Sequence, residues 1–153
     1  MNNRLTFLPV SIEHAPLCAR LDSLCFDAEV FDESMIRSLL STPYVFGYLA
    51  ILNEEPIGYA LCSKGGDEGD LLTIAVLPET RGNGYGEALL EEMIKEASLQ
   101  KIKKIFLEVR PSNTSAIKLY KKHGATQVGV RKNYYSVVGS NLKEDALVME
   151  IKF

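Results

Sequence analysis

The apolar run LLTIAV (residues 71–76), Pro78, the hexapeptide RGNGYG (residues 81–86) and the run EALLEEMIKEA (residues 87–97) together decide the fold. The first run reads as a buried strand, because it is short, apolar and bounded by turn residues. In the last, Leu89, Leu90, Met93, Ile94 and Ala97 recur at helical spacing, which predicts a helix over about residues 84–100. A strand therefore ends, turns through glycines and opens a helix. The first N–H groups of a helix have no internal partner, and the peptide dipoles add partial positive charge there. Glycines let an anion approach such a backbone closely, so the place reads as a phosphate site; a glycine turn without a ligand is the plainer alternative. Two common phosphate patterns fail on spacing. A P-loop needs Lys and Ser or Thr after its last glycine, and here Glu87 and Ala88 follow Gly86. A dinucleotide fingerprint needs G-x-G-x-x-G, and the order here is G-x-G-x-G.

A chain of 153 residues, 46% hydrophobic and 24% charged, has the length and composition of one ordinary soluble domain. The net charge of −3 gives no global basic footprint, so a nucleic-acid partner is not expected. No apolar run reaches the ~18 residues of a membrane span, and the N-terminus shows no signal-peptide core. Cys18, Cys25 and Cys62 match no metal spacing and read as reduced thiols of a cytoplasmic protein. His14 and His123 lie in no ligand motif, so no metal is expected.

Outward from the glycine turn, no repeat or linker interrupts the chain. LTFLPV (residues 5–10) is a short strand, and Ser11 is the expected N-cap of a helix reaching about Phe26. A second helix is expected over about residues 33–40. YVFGYLAILN and PIGYALCSK form a hairpin through Asn53, Glu54 and Glu55, and GGDEGD turns into the strand at Leu71. KKIFLEV is a strand, and Ser112 or Asn113 caps a helix that stops at Gly124. Two strands follow, over about residues 126–138 and 146–152. The order βααβββαβαββ predicts an α/β fold with a mixed, partly parallel central sheet and helices on both faces.

The order R-x-x-G-x-G after a strand, within that succession of elements, resembles the acetyl-CoA loop of the GCN5-related N-acetyltransferase (GNAT) superfamily. IAVLPETRGNGYGEALL, LEVRPSNTSAIKLYKKHGA, RKNYY and EDALVMEI, in this order, resemble the bacterial ribosomal-protein-alanine N-acetyltransferases. The resemblance extends over nearly the whole chain. It implies a single N-acetyltransferase domain, residues 1–153, using acetyl-CoA as cosubstrate and a protein or peptide N-terminus as acceptor.

Residue by residue, the resemblance assigns roles beside plainer readings. Glu108 falls on the strand face shared with Phe106 and Arg110, as a surface carboxylate or a base; the family role is general base. Tyr120 is a core tyrosine by pattern, and the family role is a general acid toward the departing CoA thiolate. Ile74, Ala75 and Val76 would hold the pantetheine arm and polarise the thioester through their backbone. Arg81, Gly82, Asn83, Gly84, Tyr85 and Gly86 would hold the pyrophosphate, and Asn113 both caps its helix and contacts the cofactor. Tyr134 and Tyr135 are strand aromatics by pattern and peptide-backbone ligands by resemblance. Two positions depart from the family pattern: Ser136 stands where a proline often follows the tyrosine pair, and Val30–Phe31 stands where Pro-Trp is frequent. Phe31 is then a wall of the pocket for the acceptor's first side chain. Asp22, Asp27, Glu29, Asp32 and Glu33 form a run without a basic residue, either a solvated loop or an attraction for a basic peptide. A small-molecule amine acetyltransferase and a non-catalytic acyl-CoA-binding protein are the alternative functions on the same fold. Because no cysteine lies in a nucleophile motif, direct attack of the amine is expected rather than an acyl-enzyme.

Overall fold

The computed structural model describes residues 3–27 and 29–153. Seven strands and four helices follow one another as β1 (Leu5–Pro9), α1 (Ala15–Cys25), α2 (Glu33–Leu40), β2 (Val45–Leu52), β3 (Glu55–Gly65), β4 (Glu68–Val76), α3 (Tyr85–Leu99), β5 (Lys104–Val109), α4 (Thr114–Lys122), β6 (Thr126–Ser136) and β7 (Lys143–Lys152). This is the order the sequence predicts. The strands form one mixed sheet, ordered β1-β2-β3-β4-β5-β7-β6.

Alternation along β3 shows why helices cover both faces. Ala60 and Cys62 pack into the cluster built on Leu89, Leu90, Met93 and Ala97 of α3. Tyr59 and Leu61 point the other way, to Ala15, Cys18 and Leu21 of α1 and Ile36 of α2. A strand buried on both faces reads as a continuous apolar run, which is how residues 57–62 read. The β2–β3 turn is tight because Asn53 and Glu54 both take positive φ, 50° and 74°.

Several boundaries differ from the sequence reading. Ser11 does open a capped turn, its N–H donating to His14 Nδ1 at 3.0 Å, but the turn is a 3₁₀ segment, Ile12–His14. The α-helix begins only at Ala15, with Pro16 in its first turn, where a missing N–H costs nothing. β4 starts at Glu68, so that only the tip around Gly66, φ 64°, is turn. β6 stops at Ser136 and β7 starts at Lys143. Asp22 belongs to α1 and has no exposed surface, so the acidic run is not a solvated loop throughout.

The feature that positions the site is a parting of strands. Among the described residues β4 and β5 are the one parallel pair, and they pair only at Glu68↔Lys104, Gly69↔Ile105 and Asp70↔Phe106. Beyond Asp70 the β4 edge that faces β5 has no strand partner, while its other edge stays paired with β3 as far as Val76.

Candidate active site

A cavity of about 260 Å³ lies where β4 and β5 part, lined by residues 71–74 of one strand and 107–110 of the other. Alternation buries Ile105, Leu107 and Val109 and turns Phe106, Glu108 and Arg110 to the opposite face, as the sequence implies. Glu108 therefore reaches the cavity from the face of α1 and α2. Tyr120 reaches it from α4 on the other face, where it packs with the Leu89–Met93 cluster. The open strand gap is what lets side chains from two faces of one sheet meet. Ile74, Asn113, Phe31 and Tyr135 line the same cavity.

A second cavity of about 760 Å³ adjoins it and shares Glu29, Phe31, Glu108 and Tyr135. Tyr134, Val30 and Met35 complete its walls. In a regular strand Tyr134 and Tyr135 would point to opposite faces. The β6–β7 register slips between Arg131↔Ala146 and Tyr135↔Glu144, a bulge that turns through Asn133 at φ 52°. Asp145 pins it by accepting from the Asn133 N–H at 2.9 Å. The two rings meet edge to face, centroids 4.9 Å apart, and both line the larger cavity.

The electrostatics single out three groups. Arg131 Nε lies 2.9 Å from Glu108 Oε1, reaching across β7 from β6. Burial, then the neighbouring Glu108 carboxylate, pushes the Tyr134 hydroxyl above its ordinary value, and the same causes push Tyr135 up to about 12. Burial alone pushes Tyr120 up to about 12, so it carries its proton at any physiological pH. Arg110 stacks on the Tyr135 ring at 4.4 Å and lies 3.4 Å from Glu144.

The remaining expected residues lie outside these cavities, at the end of β4 and beyond. Ala75 and Val76 pair with Tyr59 and Gly58. Gly82 and Gly84 both take φ 82° with open space where a Cβ would stand, and Gly84 is the residue before α3. The first intrahelical bond runs from the Ala88 N–H to the Gly84 carbonyl, so the N–H groups ahead of Ala88 face outward without helical partners. Gly86 sits 3.7 Å, at its would-be Cβ, from Val76. Arg81 turns back on its own fold: its Nε donates to the Val76 carbonyl at 3.0 Å and its Nη2 to the Cys25 carbonyl at 3.4 Å. Asn83 likewise donates to the Thr80 and Arg81 carbonyls, and the Tyr85 hydroxyl accepts from Asn3. Asn113, which does line the smaller cavity, also caps α4, its side chain accepting from the Ala116 N–H at 3.2 Å.

Sequence reading missed Arg131 and Thr73 at the site and named Glu29 only as one of a run of acids. Arg131 lies inside the RKNYY motif, but its partner is visible only once β7 is known to lie between β5 and β6. Glu29, at φ 59°, accepts from the Ser136 N–H at 3.0 Å and ties the α1–α2 segment to the end of β6. Among the described residues one group of metal-type donors, Glu87, Glu91 and His123, falls within 4.8 Å of one another. The Lys122 ammonium sits against it, 2.8 Å from Glu87.

The seven-stranded sheet is thus split between its parallel strands, with a glycine turn opening a helix at the end of the first and a carboxylate and a tyrosine hydroxyl lining the gap. The chain belongs to the acetyltransferase (GNAT) family, whose sequence model matches residues 16–125. The [ribosomal protein bS18]-alanine N-acetyltransferase of Haemophilus influenzae is 41% identical over 99 residues, 65% of this chain and 66% of that protein. The match thus spans just under two thirds of that relative's length. A Bacillus subtilis relative provisionally assigned the same activity is 35% identical over 130 residues, 84% of this chain and 83% of its own. The crystal structure of the ribosomal-protein-S18-alanine N-acetyltransferase from Escherichia coli superposes with a TM-score of 0.90 at 28% identity, covering 97% of this chain and 94% of that one. No helix among the described residues is long and apolar enough to cross a membrane.

Proposed function

We propose that the chain transfers an acetyl group from acetyl-CoA to the α-amine of a protein N-terminus, of the ribosomal-protein alanine type, by direct attack. The observation that carries this is the meeting of Glu108 and Tyr120 in one cavity that opens onto a second, aromatic-walled one. The residues present fit acetyl-CoA. The unpaired edge of β4 beyond Asp70 offers main-chain groups to an amide-bearing arm, and the outward N–H groups at the start of α3 suit a pyrophosphate. Bound there, acetyl-CoA supplies an electrophilic carbonyl and a thiolate leaving group.

The protein's own groups then have separable tasks. An α-amine titrates near 7.7–8.0, so at neutral pH most acceptor is ammonium and cannot attack. Glu108 takes that proton, directly or through water. Tyr120, kept protonated by burial, would offer its hydroxyl proton to the departing thiolate as a general acid. Phe31, Tyr134 and Tyr135 wall the entrance on the acceptor side. The acceptor class is tested by thiol release from acetyl-CoA over a panel of peptides and polyamines. Peptides with a free, small first residue are expected to be turned over fastest.

A further inference from the structure

Asp22 is the charged residue with no exposed surface among the described residues. A buried carboxylate is costly unless its oxygens are satisfied, and both are. The Tyr59 hydroxyl donates to Oδ1 at 2.6 Å, and the Phe31 N–H donates to Oδ2 at 2.8 Å. Burial raises the group above its ordinary value, and the bonds from Tyr59 and Phe31, with the nearby Thr73 hydroxyl, pull it back.

These donors come from the two sides of the site. Phe31 belongs to the segment between α1 and α2 and walls both cavities. Tyr59 is on β3 opposite Ala75, and Thr73 is on β4 and lines the smaller cavity. Residues 29–31 form neither helix nor strand. Besides Asp22, the segment is tied by Glu29 to Ser136 and by the Asp32 cap of α2 to Met35. Neither tie reaches the Phe31 main chain.

We propose that Asp22 is a positioning residue: by holding the Phe31 main chain against β3 and β4, it sets the gap between the Phe31 ring and the β4 edge, and so the choice of the acceptor's first residue. This rests on the reading of the Phe31 wall as part of an acceptor site. What matters is an acceptor oxygen at the right place rather than the charge. An asparagine can offer its oxygen to the Phe31 N–H and its NH₂ to the Tyr59 hydroxyl, so Asp22→Asn should preserve the wall. Asp22→Leu, with the same number of side-chain heavy atoms but no acceptor, should release it.

The test has two arms. Residue-resolved amide exchange needs no acceptor: the Phe31 amide should be protected in the wild type and in Asp22→Asn. It should exchange at least tenfold faster in Asp22→Leu, with the β3 amides unchanged. In the second arm, the kcat/KM ratio for peptides beginning with Ala and with Val should collapse in Asp22→Leu and hold in Asp22→Asn. Adding Phe31→Ala to Asp22→Leu should change that ratio no further. An unprotected Phe31 amide in the wild type, an Asp22→Asn variant that behaves as Asp22→Leu, or a uniform loss that adds to that of Phe31→Ala would each overturn the proposal. Should Asp22→Leu fail to fold, Asp22→Ala takes its place. If the wild type acetylates no peptide, the functional reading fails, and exchange at Phe31 still decides whether Asp22 anchors the wall.

Discussion

Arg131 Nε lies 2.9 Å from the carboxylate of Glu108, from a strand two places away in the sheet. The pair sits in the wall of the larger cavity, with Arg131 over the Tyr134 ring at 5.3 Å. The guanidinium of Arg131 thus faces the Glu108 carboxylate in the free protein. The pair is partly exposed, and a glutamine keeps the shape of the side chain, so the consequence of removing the carboxylate is read in catalysis rather than folding.

Glu108→Gln is expected to lower kcat by ~10²–10⁴-fold, the range for a positioned base. Acetyl-CoA affinity by calorimetry should stay within about twofold. The deficit should shrink between pH 7 and pH 9, as more acceptor loses its proton unaided. An unchanged kcat at pH 7 would make Glu108 a structural ion-pair partner.

Tyr120→Phe is expected to slow transfer about 10–100-fold, the loss of one hydrogen bond to a charged atom, worth ~1.5–3 kcal/mol. Because burial holds Tyr120 up to about 12, the pH–rate profile should show no alkaline limb from this group below about pH 10. Thermal unfolding should move little, since the ring and its packing remain. A wild-type rate in the variant would return Tyr120 to the core.

Gly86→Asp places a carboxylate in the first turn of α3, and the space accepts a Cβ, 3.7 Å from Val76. The fold should survive, while acetyl-CoA affinity should fall at least about tenfold as charge repels pyrophosphate at a helix start. Binding to the wild type should persist in EDTA. Undiminished affinity in the variant would move the phosphate site elsewhere.

The glycine turn that opens α3, the order of elements and the face of Glu108 were legible in the sequence because each rests on local pattern: glycine spacing, 3.6- and 2-residue periodicity, and cap residues. What was not legible depends on contacts between distant segments. The Glu108–Arg131 pair needs β7 inserted between β5 and β6. The joint exposure of Tyr134 and Tyr135 needs a bulge pinned by Asp145 from the next strand. Asp22 is invisible as a buried group because it heads a run of acids, four of which behave as surface residues. The family resemblance makes Arg81 a phosphate ligand, and in the structure its guanidinium is engaged by two main-chain carbonyls.

Glu144 supplies a pH prediction. It accepts from the Ser112 N–H and hydroxyl at 2.9 and 3.0 Å, and from Arg110, which hold it below its ordinary 4.5. The unfolded chain therefore binds more protons between the two values. The stabilisation is complete above the ordinary value and is lost as pH falls through the lowered one. Wild type should melt above Glu144→Gln at pH 7, and the gap should close as pH falls from 4.5 through the lowered value. Since Ser112 precedes the Asn113 cap, activity should fall in the same acid window. A gap independent of pH would mean that the Ser112 bonds do not depend on ionisation.

The central claim, an acetyl group placed on a protein α-amine, is tested most directly by site-resolved mass spectrometry. The purified protein and acetyl-CoA are given a peptide with a free Ala N-terminus and an internal lysine, in competition with spermidine. The account predicts acetylation at the α-amine, with the lysine side chain and the polyamine left largely unmodified. Faster acetylation of spermidine, or of the lysine, would contradict it.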